Sequence, residues 1–171
     1  YRTVRSIFET NTEFRDSVFY DASSWSIANF YDINYSPSLR EMKGVEIENL
    51  ELENFTVIDE GQIDSLDLVY LLQTKIGQKD AVNAAIGLGG GSWIDYVNES
   101  NDLFMTVKIS GDDVNELNEI SDAFQNWADF QTRFTKSLSN SSWKGILYEG
   151  DTNFWIYNDG SYLRLALSND I

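Results

Sequence analysis

The sequence predicts an α+β domain with a mainly antiparallel sheet, and three apolar patterns predict that class. Apolar residues recur every three or four positions between residues 112 and 137, which is the period of a helix. Between Leu103 and Ile109 apolar residues occupy every second position, as in a strand with one face towards a core. Three further apolar runs near the C-terminus are separated by Asp- and Gly-containing turns.

At the N-terminus, residues 1–20 carry an apolar stripe near the 3.6-residue period and predict an N-terminal helix. The single proline, Pro37, lies in a Ser-Pro-Ser sequence that marks a turn. We expect residues 1–171 to form a single globular domain, with a boundary between two lobes near 36–44 as the alternative.

Residues 45–58 combine apolar positions with intervening glutamates. The apolar phase changes near Asn49 and again near Asn54, which predicts two strands separated by a bulge or a tight turn. The glutamates are then expected on a face of the strand that contacts water.

Two short helices are predicted next, at about 65–76 with Ser65 as the N-cap and at about 80–86. The glycine-rich run Gly87–Ser92 follows the second helix. A phosphate-binding loop would follow a strand or end in Gly-Lys-Ser/Thr, and this run does neither. It therefore predicts a flexible connector or a helix C-cap, and the strand Leu103–Ile109 comes after it.

One long helix is expected over about 112–137, capped by Ser110 and with a break near Trp127 as an alternative. The remaining chain predicts a C-terminal three-stranded meander. Its strands are Trp143–Tyr148, Phe154–Tyr157 and Tyr162–Ser168.

The composition excludes several classes of chemistry. The chain has no histidine and no cysteine, which excludes imidazole catalysis, thiolate catalysis, disulfides and cysteine-bound zinc. The formal net charge of −16 repels nucleic acids and anionic lipid surfaces. No apolar run approaches the length of a transmembrane helix, so we expect no membrane insertion by this segment.

An extracellular or cell-surface location is expected. The chain begins at Tyr1 without an initiator methionine, as a processed protein would. Three Asn-x-Ser/Thr triplets, at Asn54, Asn98 and Asn140, are compatible with glycosylation on a secretory route.

Oxygen-based chemistry is what the composition leaves open. Calcium takes oxygen ligands, but none of the Asp- and Asn-rich turns has the spacing of an EF-hand loop, so no cofactor is expected. A pair of carboxylates can hydrolyse glycosides, and Asp21, Asp32 and Asp95 stand out among the acidic residues because their sequence neighbours are apolar. A glycoside hydrolase is nevertheless less expected than an interaction module or a carbohydrate-binding module, since 28 acidic residues produce pairs by chance.

Aromatic residues interleaved with Asp and Asn predict a sugar-binding surface, because rings stack on sugars while polar groups bind hydroxyls. Two segments show this pattern, and their candidate contact residues are Trp25, Tyr31, Asp32, Trp155, Tyr157, Asn158 and Asp159. The alternative is that these rings fill the core.

The leading hypothesis is a non-enzymatic structural or interaction module that is secreted or exposed at the cell surface. It would act through protein partners or self-assembly, and a carbohydrate-binding module is the alternative. An N-terminal amphipathic helix followed by an antiparallel sheet resembles the soluble part of type IV pilin-like proteins, which implies a filament subunit. The hydrophobic N-terminal segment and the C-terminal cysteine pair of those proteins do not occur in these 171 residues.

Overall fold

The computed structural model describes residues 44–131, 134–138 and 144–169, and in these ranges it contains three helices and seven strands. The helices are α1 (Ser65–Ile76), α2 (Gln78–Ile86) and α3 (Val114–Asp129). The strands are β1 (Phe55–Ile63), β2 (Leu88–Asn98), β3 (Leu103–Gly111), β4 (Thr135–Leu138), β5 (Ile146–Glu149), β6 (Asn153–Asn158) and β7 (Leu163–Ser168).

The strands form one sheet in the order β1-β2-β3-β7-β6-β5-β4, and all pairs described are antiparallel. The predicted α+β class with a mainly antiparallel sheet is therefore confirmed. Strands β5, β6 and β7 pair in chain order, as a meander does, and β4 adds a fourth strand to them. The pairing of β3 with β7 joins these strands to the first three.

The helices cover one face of the sheet and enclose the core against it. Each helix contributes one buried stripe: Leu68, Val69 and Leu72 from α1, Ala81, Ala84 and Ala85 from α2, and Leu117, Ile120 and Phe124 from α3. The alanines of α2 allow its backbone to approach its neighbours closely. Burial of each large aliphatic side chain contributes roughly 1.5–3 kcal/mol.

The cap of α1 is Asp64, so the predicted cap at Ser65 is wrong by one residue. Asp64 Oδ1 accepts hydrogen bonds from the backbone N–H groups of Leu66 (2.7 Å) and Asp67 (3.0 Å). The side chain of Asp67 accepts in return from the N–H of Asp64 at 2.9 Å. This reciprocal capping box leaves Ser65 as the first, buried residue of the helix.

The predicted helix 112–137 is also corrected at its start. Asp113, rather than Ser110, caps α3, because its Oδ1 accepts from the N–H groups of Asn115 (2.7 Å) and Glu116 (3.0 Å). Ser110 is still part of β3, where its backbone pairs with Gly90.

The same helix ends at Asp129, about eight residues before its predicted end. A tighter bond from the N–H of Gln131 to the carbonyl of Ala128 closes it, and Thr135–Leu138 then forms an edge strand. Phe134 and Leu138 are four residues apart, which is a helical spacing. Four is also an even number, so the spacing fits one face of a strand equally well.

Only the end of the segment 45–58 is a strand, and the prediction of two strands there is wrong. Residues 44–52 contain no helix or strand and cross the sheet face opposite the helices. Three bonds hold them there. Ser92 Oγ donates to the carbonyl of Val45, Lys108 Nζ donates to the carbonyl of Glu46 at 2.8 Å, and the N–H of Leu50 donates to the Tyr96 hydroxyl at 3.0 Å.

The glycine-rich run is mostly a buried strand. Gly87 does cap α2, but Leu88–Ser92 belong to β2, so the prediction of a connector is wrong for those residues. Glycine is needed here because the chain passes very close to its neighbour. A Cβ atom on Gly89 would lie 2.6 Å from the carbonyl oxygen of Gly111.

Several predictions concern parts of the chain outside the described residues, namely the N-terminal helix, the turn at Pro37 and most of the boundary region near 36–44. Among the described residues, no helix has both the length and the apolar character needed to cross a membrane.

Candidate functional site

A cavity of about 590 Å³ opens between the helices and the sheet. We refer to it as the apolar cavity. Its floor is formed by side chains of four neighbouring strands, namely Trp93, Met105, Val107, Phe154, Leu165 and Leu167. Its roof comes from α1 and α3, chiefly through Leu68, Leu71, Phe124 and Trp127. Small-molecule sites in proteins commonly occupy about 300–1,000 Å³ and are mostly apolar, so this cavity has the size and lining of one.

The floor follows from the register of the strands. Trp93 is opposite Val107, and Val107 is opposite Leu165, which makes one row across the sheet. The next row contains Met105, Leu167 and Phe154 in the same way. Because side chains alternate between the two faces of a strand, both rows face the helices.

The Trp93 ring lies across strand β1, and a glycine in that strand makes this position accessible. Gly61 is paired with Trp93, and a Cβ atom at Gly61 would come within 2.9 Å of three atoms of the indole. A larger residue at position 61 would therefore displace the ring. The glycine thus allows one wall of the cavity to be a flat aromatic surface.

Trp127 connects the two roof helices to each other and to the floor. Its Nε1 donates a hydrogen bond to Thr74 Oγ1 of α1 at 3.0 Å. Its ring meets that of Phe154 edge-on, with 5.7 Å between centroids and an interplanar angle of 81°. These contacts fix the separation of α1 and α3 above the sheet.

Among the described residues that line the cavity, the polar side chains lie at its rim. Among its lining residues these are the exposed Gln62 and Asp67, apart from the indole N–H groups. No lysine or arginine is among the lining residues that the structure describes.

Two carboxylates lie at one end of the floor. Asp95 is paired with Met105 on one side and with Asp59 on the other, so the second floor row continues beyond Met105 into Asp95 and Asp59, which do not themselves line the cavity. The pKa of Asp95 is raised above its usual value, first because the carboxyl is partly buried and second because Asp59 is a like charge. Asp95 was singled out from the sequence for its apolar surroundings, and the structure gives it this partner.

We expect Asp95→Asn to stabilise the protein near pH 7 by up to about 1 kcal/mol, since like charges directly opposite on a sheet destabilise it. Because the pKa of Asp95 is raised in the folded state, its carboxyl group is protonated below its unfolded pKa of about 3.9 and does not lower the free energy of unfolding there. The wild-type protein loses stability as the pH rises through the folded-state pKa of Asp95, because the carboxylate then becomes charged opposite Asp59. The gain in the variant should therefore shrink towards about pH 3.

Urea denaturation of both proteins at the two pH values measures this difference. Asp122→Asn is the matched control, because it removes one exposed carboxylate from α3. Equal stability of wild type and Asp95→Asn at both pH values would contradict the repulsion between Asp95 and Asp59.

The residues predicted to bind sugar are only partly brought together. Trp25, Tyr31 and Asp32 lie outside the described residues. Trp155 and Tyr157 are neighbours on the sheet face opposite the helices, with ring centroids 5.8 Å apart. A sugar-binding role for these two rings stays a prediction, which a glycan array with wild type and Trp155→Ala would test.

The polar members of that set are separated from the two rings. Asn158 faces the helices and donates to Asn118 Oδ1 of α3 at 2.9 Å. Asp159 accepts bonds from the N–H groups of Ser161 and Tyr162 in its turn and from Arg164 Nε at 3.1 Å. These bonds lower the pKa of Asp159 against the opposing effect of burial, which is the larger single contribution. The arrangement is a stable turn rather than a set of groups that converge with the rings.

The acidic turns considered for calcium have local partners as well. Asn98 Oδ1 accepts from the N–H groups of Ser100 and Asp102, and Asn98 Nδ2 donates to Asp102 Oδ2 at 2.7 Å. Asp113 caps α3. Within the described part of the chain, no three acidic side chains are grouped closely enough to hold a metal ion.

The sequence reasoning missed the apolar cavity. The residues that line it appeared in the sequence as strand and helix core positions, and a cavity differs from a filled core only in three dimensions. The one feature of the sequence that pointed to this region was an aromatic residue, Trp93, two positions before a carboxylate, Asp95. Comparison with known proteins adds no relative, since no protein-family model, curated protein or solved structure matches this chain.

Proposed function

We propose that this chain is a non-enzymatic binding module that takes a small apolar ligand into the apolar cavity. The observation that carries the proposal is the cavity itself, about 590 Å³ in volume with Trp93, Trp127 and Phe154 in its lining. The proposal narrows the interaction module expected from the sequence to one kind of partner. It retains the expectation of a secreted or cell-surface protein.

The affinity expected for such a ligand can be estimated from the free energies of burial and of association. Burial of an apolar chain contributes about 0.8 kcal/mol per CH₂ group, so ten carbons contribute roughly 8 kcal/mol. Association costs at least about 4 kcal/mol in lost translation and rotation. The net value is therefore at most about 4 kcal/mol, which corresponds to a dissociation constant of about 1 mM, and titrations should extend towards the millimolar range.

Decanol is a suitable probe because it has an apolar chain and no charge. We expect saturable binding by calorimetry, together with a change in the emission of the tryptophans that line the cavity. Leu167→Trp should weaken binding about tenfold or more, because the larger ring occupies space on the cavity floor.

Leu138→Trp is the matched control, since Leu138 is 70% exposed on the edge strand β4 and does not line the cavity. It should bind decanol as wild type does. Absence of saturable binding to wild type, or equal binding by Leu167→Trp, would overturn the proposal.

A further inference from the structure

We propose that the ligand of the apolar cavity is a cationic amphiphile, with an apolar body on the cavity floor and an ammonium-type head group at the Asp59–Asp95 end. This inference rests on the proposed function and adds the chemical class of the ligand. It follows from where the carboxylates lie relative to the apolar floor.

The second floor row gives the direction of the ligand. It runs from Phe154 through Leu167 and Met105 to Asp95 and then to Asp59, one residue per strand. Adjacent strands are about 4.8 Å apart. A chain that lies on Leu167 and Met105 therefore brings its end within about one strand spacing of the Asp95 carboxylate.

A further carboxylate lines the cavity from the helix side. Asp67 of α1 is a lining residue and is exposed at the rim. One of its oxygens accepts the N–H of Asp64, and a carboxylate has further lone pairs to accept other donors. Asp67 thus adds one negative charge at the rim, while Asp95 and Asp59 lie beyond Met105 in the second floor row.

The N-terminus of α1 does not counteract this charge. A helix N-terminus attracts anions through its free N–H groups. Here the side chain of Asp64 already accepts the N–H groups of Leu66 and Asp67. An anionic head group would consequently meet either Asp67 at the rim or Asp95 next to Met105, and no lysine or arginine among the described lining residues.

The aromatic wall also favours a cation. Trp93 is two residues from Asp95 on the same face of β2, so its ring lies beside the carboxylate end of the floor. The face of an indole ring attracts ammonium groups, most strongly where water is partly removed. The net charge of −16 raises the local concentration of cations and lowers that of anions around the whole protein.

Three ligands with the same decyl chain separate the head group from the apolar body, namely decyltrimethylammonium, decanol and decanoate. Each is titrated into the full chain by calorimetry near pH 7, at low salt and below micelle formation. We expect the ammonium compound to bind about tenfold more tightly than decanoate, with decanol between them.

The double variant Asp67→Asn/Asp95→Asn should lose most of this preference while it keeps decanol binding. Asparagine at position 67 retains an oxygen that can accept the N–H of Asp64, so the cap of α1 is preserved. Asp80→Asn/Asp122→Asn is the matched control, because it removes two carboxylates from α2 and α3 that do not line the apolar cavity. The control should keep the preference for the ammonium compound.

The outcomes separate this inference from the proposed function. Binding of decanol without a preference among the three head groups would overturn the inference and leave the apolar site intact. An equal loss of preference in both double variants would overturn it too, since the net charge alone would then explain the result. Failure of all three decyl compounds to bind wild type would overturn the proposed function itself.

Discussion

Phe154→Ala is expected to lower the free energy of unfolding by about 3–5 kcal/mol, the usual range for removal of a buried phenylalanine. Phe154 is only 2% exposed. Its ring lies 5.7 Å from that of Trp127, 6.2 Å from that of Tyr148 and 6.4 Å from that of Phe124. The variant loses all three ring contacts and leaves a void that a packed sheet and helix layer cannot close.

Urea denaturation followed by circular dichroism measures the loss. Phe130→Ala is the matched control, because Phe130 follows the last residue of α3 and is 62% exposed. We expect it to change stability by no more than about 0.5 kcal/mol. Equal effects of the two substitutions would show that Phe154 does not lie in the core.

Phe154→Ala also tests the apolar cavity, since Phe154 is part of the cavity floor. Its truncation enlarges the cavity. The proposed binding of decanol to the folded protein should therefore restore part of the lost stability in proportion to the logarithm of the decanol concentration. A melting temperature of Phe154→Ala that does not respond to decanol would count against ligand binding at this position.

Periodic patterns predicted the elements whose one face is buried. The alternation from Leu103 to Ile109 lies within β3, and the helical period between residues 112 and 137 contains α3. In both cases burial on one side imposes the period directly. The ends of the elements were less accurate, because Asp64 and Ser65, or Asp113 and Ser110, are all acceptable caps by residue type.

The segment 45–58 shows where such patterns fail. Alternation reports that one face of an extended chain is buried, but it does not report which groups its backbone bonds. Val45 and Glu46 are held through their carbonyl groups by side chains of the sheet, and β1 begins only at Phe55. Sequence spacing contains no information about those side-chain partners.

The candidate site could not be predicted for a related reason. Trp93 and Trp127 belong to different elements, and the sheet register together with the packing of α3 brings them to one cavity. The residues that the sequence did group divide instead: Trp155 and Tyr157 lie on one sheet face, Asn158 faces the helices, and Asp159 lies in a turn. Alternation in β6 predicts that division once the strand is recognised.

The glycines were the most misleading signal. A run of glycines favours a flexible connector when only composition is considered. In the structure, Gly89 and Gly111 lie where β2, β3 and the start of α3 approach each other too closely for a side chain. The N–H of Asp112 donates to the carbonyl of Gly87 at 2.9 Å, which holds the end of β3 against the end of α2. These glycines are thus part of the packed interior.

Gly111→Ala is the second substitution with a large expected effect, a loss of about 1–3 kcal/mol or more in the free energy of unfolding. Its Cβ atom would lie 2.5 Å from the backbone nitrogen of Leu117 and 2.7 Å from the carbonyl oxygen of Asp113. These atoms form the first hydrogen bond of α3, so the helix cannot move aside without losing its capped first turn. Gly44→Ala is the matched control because its Cβ would have no neighbour within 4 Å, and it should unfold as wild type does in the same urea titration. If Gly111→Ala were as stable as Gly44→Ala, the contact between the end of β3 and the first turn of α3 would have to be looser than the structure describes.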